Sequence, residues 1–215
     1  MHEILEKIKE IGIVPVVALD DADDALPLAE ALSEGGLPCA EITFRTAAAE
    51  EAIRRISDRC PQMLVGAGTV LTTDQADRAA AAGARFLVSP GFNPRVVRHC
   101  VEKGYLITPG CSTPSDVEQA IENGLKVVKF FPAEPAGGLG MIRALAAPYK
   151  EIQFMPTGGI SPANAGEYLR YERILACGGT WMVKEELIRE KAFDKIKELS
   201  QEAAKIVQTS RGRDR

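Results

Sequence analysis

Histidine is nearly absent from this 215-residue chain, and its five cysteines are odd in number and widely spaced. Only His2 and His99 occur, the first terminal and the second following Arg95-Val96-Val97-Arg98 on what reads as a surface helix, so a metal centre built from imidazoles is strongly disfavoured. Cys39, Cys60, Cys100, Cys111 and Cys177 include no C-x-x-C pair, which argues against a disulfide framework and a thiolate zinc site. A reducing cytoplasm is the expected setting. Basic charge is not in excess: the formal charge is −4, and no Lys/Arg-rich run interleaves with aromatics, so nucleic acid is not an expected partner. No apolar stretch reaches membrane length, and Glu3, Glu6, Lys7, Lys9 and Glu10 leave the N-terminus without a signal-peptide core. A soluble, unprocessed protein with no membrane partner is expected. Nor does any Pro/Gly/Ser-rich linker or low-complexity block divide the chain, so one domain is expected over 1–207, followed by a polar tail, 208–215.

What the chain does have is a rhythm. Short β-rich segments recur at Ile13 to Ala18, Cys39 to Thr43, Met63 to Gly66, Arg85 to Ser89, Tyr105 to Thr108, Lys126 to Phe130, Ile152 to Met155 and Ile174 to Ala176. Their starts lie about 23 residues apart on average, the length of one strand, one three-turn helix and two tight loops. Between them, Ala25, Leu28, Ala29 and Leu32, then Ala52, Ile53 and Ile56, then Val117, Ala120 and Ile121 repeat at helical spacing. Thr113-Pro114 and Ser161-Pro162 each place a capping hydroxyl before a proline at the first helical position, and Asp116 completes a capping box with Thr113. The expected fold is α/β, a single (β/α)8 TIM barrel with an additional N-terminal helix, Met1 to Ile11, covering its bottom through Ile4, Leu5, Ile8 and Ile11. An open doubly wound sheet is the rival, but Val17-Ala18-Leu19-Asp20-Asp21 carries no G-x-G-x-x-G after the first strand.

Lys129 stands out within Val127-Val128-Lys129-Phe130-Phe131-Pro132. An ammonium flanked by Val and Phe must find a partner or lose its proton, because desolvation disfavours the charged form, and a free amine can attack a carbonyl. The bland alternative is a strand-end lysine whose head reaches water. In a βα barrel the chemistry sits at the C-terminal strand ends, and there side-chain alternation puts Glu41, Thr43 and Arg45 on one face of the second strand. If that face points inward, Glu41 needs a partner that Lys129 can supply across the interior. Two titratable groups sharing one cavity suggest a working site, since a buried ion pair contributes little stability.

Other strand ends are rich in small residues: Gly66-Ala67-Gly68-Thr69, Ser89-Pro90-Gly91, Thr108-Pro109-Gly110, and the loops Pro156-Thr157-Gly158-Gly159-Ile160-Ser161 and Cys177-Gly178-Gly179-Thr180-Trp181. Two Gly-Gly pairs after strands seven and eight suit an anion held by backbone N–H groups. Arg45 offers a planar fork for a carboxylate or phosphate. Asp20, Asp21, Asp23 and Asp24 read as acids before a helix N-terminus rather than as cation ligands. Trp181 and Phe130 read as core or wall residues, whereas Phe131 can shape the pocket; Cys111, without a histidine base, reads as inert.

Together, Glu41-Ile42-Thr43-Phe44-Arg45-Thr46, Gly66-Ala67-Gly68-Thr69-Val70, Ser89-Pro90-Gly91, Lys129-Phe130-Phe131-Pro132-Ala133-Glu134, Pro156-Thr157-Gly158-Gly159-Ile160 and Gly178-Gly179-Thr180-Trp181 resemble the 2-keto-3-deoxy-6-phosphogluconate aldolase family, which includes 4-hydroxy-2-oxoglutarate aldolases. The resemblance implies a class I aldolase that uses no metal or cofactor, acts on a small 2-keto acid, and is usually a homotrimer. It implies that Lys129 forms the Schiff base, Glu41 shuttles protons, and Arg45 and Thr69 hold the carboxylate end. Pro90 and Phe131 would line the pyruvate pocket, Thr157 would contact the sugar hydroxyls, and Gly158, Gly159, Gly178, Gly179 and Thr180 would take the phosphate. Other readings remain at this stage. They are an aldolase for a 2-keto-3-deoxy sugar acid of different C4 configuration, a phosphosugar isomerase or epimerase in which Lys129 only neutralises charge, and a non-catalytic phosphometabolite binder.

Overall fold

A computed structural model describes residues 2–212 of the chain. An N-terminal helix, α1 (His2–Ile11), leads into β1 (Ile13–Val17) and α2 (Ala25–Glu34), then β2 (Cys39–Thr43) and α3 (Ala49–Arg59), then β3 (Leu64–Gly68) and α4 (Thr73–Ala81). The alternation continues through β4 (Leu87–Val88), α5 (Pro94–Lys103), β5 (Ile107–Thr108), α6 (Pro114–Glu122), β6 (Val127–Phe130) and α7 (Gly138–Ala146). It closes with β7 (Gln153–Pro156), α8 (Ala165–Leu169), β8 (Cys177–Gly179), α9 (Glu185–Arg189) and α10 (Phe193–Ser210).

Every strand pair is parallel. Six strands form one sheet in the order β5-β4-β3-β2-β1-β8, and β6 and β7 form a second. The two sheets meet at single bridges, Gly110 to Lys129 on one side and Phe154 to Ile174 and Thr157 to Gly178 on the other. Alternation sorts each strand's residues: Ala40 and Ile42 of β2 join the larger core against the helices, while Cys39 joins a smaller inner cluster. That inner cluster draws on both sheets through Val14, Cys39, Leu64, Val127 and Met155, and α1 lays fully buried Ile8 on it, flanked by Ile4, Leu5 and Ile11.

Local signals explain the helix starts. Thr113 Oγ1 accepts from the Asp116 N–H while Asp116 Oδ2 accepts from the Thr113 N–H, the capping box expected for α6. Asn93 caps α5 ahead of Pro94, and Gly104 ends it at φ +72°, a conformation glycine takes without a steric penalty. The acids after β1 are committed to structure: Asp21 caps a turn at Asp23, Asp23 pairs with Arg55, and Asp24 pairs with Lys191 at 3.3 Å.

Several expected boundaries need correction. The eighth strand is Cys177–Gly179 and not Ile174 to Ala176, because pairing of Ile13, Val14 and Pro15 with Cys177, Gly178 and Gly179 sets its position, leaving Ile174 with a lone bridge. The third strand runs on through Ala67 and Gly68, while β4 and β5 shrink to two residues each. The regular part of α8 begins at Ala165 rather than at Ser161-Pro162, where Asn164 Oδ1 instead accepts from the Ser161 N–H. Ile121, expected on a buried face, is 45% exposed, and α6 packs through Val117 and Ala120. Helix α10 continues through Gln208, Thr209 and Ser210, into the stretch expected as a polar tail; residues 213–215 of that stretch, and Met1 of the first helix, lie outside the described residues.

Candidate active site

A cavity of about 320 Å³ opens at the C-terminal ends of the strands, and all twelve residues singled out in the sequence line it. Glu41 comes from β2 and Lys129 from β6; Arg45, Thr69, Pro90, Phe131, Thr157 and Thr180 come from the chain just beyond strand ends, with Gly158 and Gly159 after β7 and Gly178 and Gly179 in β8. At its floor Lys129 Nζ donates to Glu41 Oε1 at 3.3 Å, with the two residues 6% and 2% exposed. Lys129 Nζ also lies 5.4 Å from the centre of the Phe131 ring, itself 38% exposed at the mouth. The amine therefore has one face on a carboxylate, one on an aromatic ring, and the cavity before it.

Backbone register puts these groups there. On β2 the period of two aims Glu41 and Thr43 into the cavity; Thr43 Oγ1 donates to Val17 O at 2.8 Å and accepts from Arg45 Nε at 3.2 Å. Thr43 thus ties the exposed guanidinium to the wall of β1. Thr69 turns at φ +55°, an uncommon conformation for a β-branched residue that marks local strain beside the cavity. Gly158 and Gly159 adopt φ +97° and +82°, which makes glycine the fitting residue at both positions.

Thr43 lines the wall on the face that alternation gave it, and three lining or supporting residues were not assigned a place in the site from the sequence: Val16 and Ile160 in the wall, and Gly68 behind Glu41. A Cβ at Gly68 would lie 2.2 Å from Glu41 Oε1, so glycine there makes the space the carboxylate occupies. The small-residue run Gly66-Ala67-Gly68 was the only sequence trace of this. A Cβ at Gly178 would likewise come within 2.3 Å of Thr157 Oγ1, and one at Gly179 within 2.0 Å of the Trp181 ring, so these glycines of β8 admit neighbouring side chains as well as line the cavity. Burial pushes the Cys111 thiol up to about 12, consistent with an inert residue.

The site is a buried lysine facing a buried glutamate at the strand ends of a parallel βα fold, and the relatives that share this fold and sequence are aldolases, a class of carbon–carbon lyase. The chain belongs to the KDPG and KHG aldolase family, whose model matches residues 4–199. It is 51% identical over 207 residues to the 2-dehydro-3-deoxy-phosphogluconate aldolase of Treponema pallidum, covering 96% of this chain and 99% of that one. Among solved structures, the KDPG aldolase of Legionella pneumophila, with pyruvate captured at low pH as a covalent carbinolamine intermediate, superposes at a TM-score of 0.89 with 36% identity, over 92% of this chain and 96% of that one. The 2-keto-3-deoxy-6-phosphogluconate aldolase of Zymomonas mobilis, with 3-phosphoglycerate, gives 0.86 with 38% identity, over 93% and 94%.

Proposed function

We propose that the protein is a class I aldolase that cleaves 2-keto-3-deoxy-6-phosphogluconate to pyruvate and D-glyceraldehyde 3-phosphate, and that it also cleaves 4-hydroxy-2-oxoglutarate to pyruvate and glyoxylate. The observation that carries this reading is the 3.3 Å contact of Lys129 Nζ with Glu41 Oε1 at the floor of an otherwise open cavity. Lys129 attacks the C2 carbonyl, and loss of water from the carbinolamine gives an iminium. Removal of the C4 hydroxyl proton breaks the C3–C4 bond, its electron pair passing into the iminium to give an enamine, and the aldehyde departs. The enamine is protonated at C3, and water then releases pyruvate and restores the amine. Glu41 carries protons in several of these steps, a reading supported by its contact with Lys129 Nζ.

Arg45 and Thr69 hold the carboxylate end, Pro90 and Phe131 line the pocket for the pyruvate part, and Thr157 meets the sugar hydroxyls. The phosphate lies against Gly158, Gly159, Gly178, Gly179 and Thr180, a reading supported by the two glycine pairs lining one cavity and bridged at Thr157 and Gly178. We further read the two sheets as one (β/α)8 barrel capped by α1, supported by the bridges on both sides of β6-β7 and by the inner cluster they share. A homotrimer in the cytoplasm is the matching assembly and setting; among the described residues, no helix is long and apolar enough to cross a membrane.

Borohydride reduction in the presence of pyruvate tests the mechanism. A stable adduct is expected on the peptide carrying Lys129, with cleavage lost in Lys129→Ala by at least about a thousandfold. An unlabelled protein, or cleavage surviving in Lys129→Ala, rejects it. An isomerase using Glu41 alone forms no such adduct.

A further inference from the structure

Glu134 does not line the cavity, yet it bears on the glycine pair that does. Its N–H donates to Gly158 O at 3.0 Å, and the N–H of Ala133 donates to Thr157 O at 2.8 Å. A Cβ at Gly159 would stand 2.6 Å from both Cβ and Cγ of Glu134, so this side chain lies directly on that glycine. What fixes the side chain is Tyr168 of α8, whose phenol donates to Glu134 Oε1. Tyr168 is only 2% exposed, so its ring is held by the core while its oxygen reaches the loop. Burial, and after it the Glu134 carboxylate, push this phenol upward, and it remains a donor. Gly138 leaves room for the contact: a Cβ there would come to 3.1 Å from both Glu134 Oε1 and Tyr168 Oη. A carboxylate so close to an anion site is a liability unless something restrains it, because like charges repel most where water is scarce.

We propose that Tyr168 is a positioning residue for the distal anion subsite: through Glu134 it holds the Gly158-Gly159 backbone in shape and keeps the carboxylate turned away from the bound phosphate. The inference rests on the reading that these glycines take the substrate phosphate. Tyr168 touches no reacting atom. Its effect belongs on affinity for the phosphorylated substrate and not on bond cleavage.

Tyr168→Phe keeps the ring and removes only the donor. It is expected to raise KM for 2-keto-3-deoxy-6-phosphogluconate about tenfold while kcat, and KM for 4-hydroxy-2-oxoglutarate, stay within about twofold of the parent. Glu134→Gln, which keeps an acceptor for the phenol and loses the charge, is expected to show a KM no higher than the parent's. Inorganic phosphate, titrated calorimetrically, reads the subsite without turnover and is expected to bind Tyr168→Phe about tenfold more weakly. Equal losses on both substrates, a fall in kcat, unchanged phosphate affinity in Tyr168→Phe, or no phosphate binding by the parent would each overturn the proposal. Failure of the parent to cleave either substrate would instead overturn the aldolase reading, leaving the phosphate titration to decide on Tyr168.

Discussion

One missing side chain makes the room that the Glu41 carboxylate occupies beside Lys129. Gly68 stands diagonally across from Glu41, and a methyl group there would sit 2.2 Å from the carboxylate oxygen and 2.8 Å from Cγ. Gly68→Ala is therefore expected to push Glu41 off Lys129 and lower kcat about a hundredfold, the scale of a misplaced catalytic group, while the thermal melt stays cooperative. A kcat near the parent's would mean that Glu41 can serve from another rotamer. Lys129 and Glu41 were legible in the chain because charge inside an apolar run, and alternation along Cys39 to Arg45, are local signals. The need for glycine at 68 was not, because it arises from a neighbouring strand whose register no stretch of sequence records.

Among the elements, helices announced themselves better than strands. The α6 start is written in Thr113, Pro114 and Asp116, and the structure realises each contact. Thr113→Ala removes both the acceptor for the Asp116 N–H and a donor to its carboxylate, so a loss of about 1 kcal/mol in urea unfolding is expected, with KM and kcat unchanged. The eighth strand shows the opposite case. Ile174 to Ala176 has the better strand composition, yet Cys177–Gly179 forms the strand, since pairing to Ile13, Val14 and Pro15 outweighs the poor propensity of glycine. The paired glycines there looked like loop chemistry because their reason, room for Thr157 and Trp181, lies in other elements.

At the scale of the whole molecule, the repeating βα rhythm pointed to a parallel fold, whereas nothing in it fixed how β6 and β7 would join the other six strands. The inner cluster depends on α1, whose Ile8 is 0% exposed among residues from both sheets. Ile8→Ala should cost about 2–5 kcal/mol in denaturant unfolding, while the folded fraction keeps the parent's kcat. A change well below 1 kcal/mol would mean that the helix is an ornament. Val127 and Cys39 of that plug stand two residues before Lys129 and Glu41 on their strands, closing the side of the cavity away from its mouth; under the mechanism proposed above, the half of a cleaved molecule nearer the rim is expected to leave before the half bonded to Lys129.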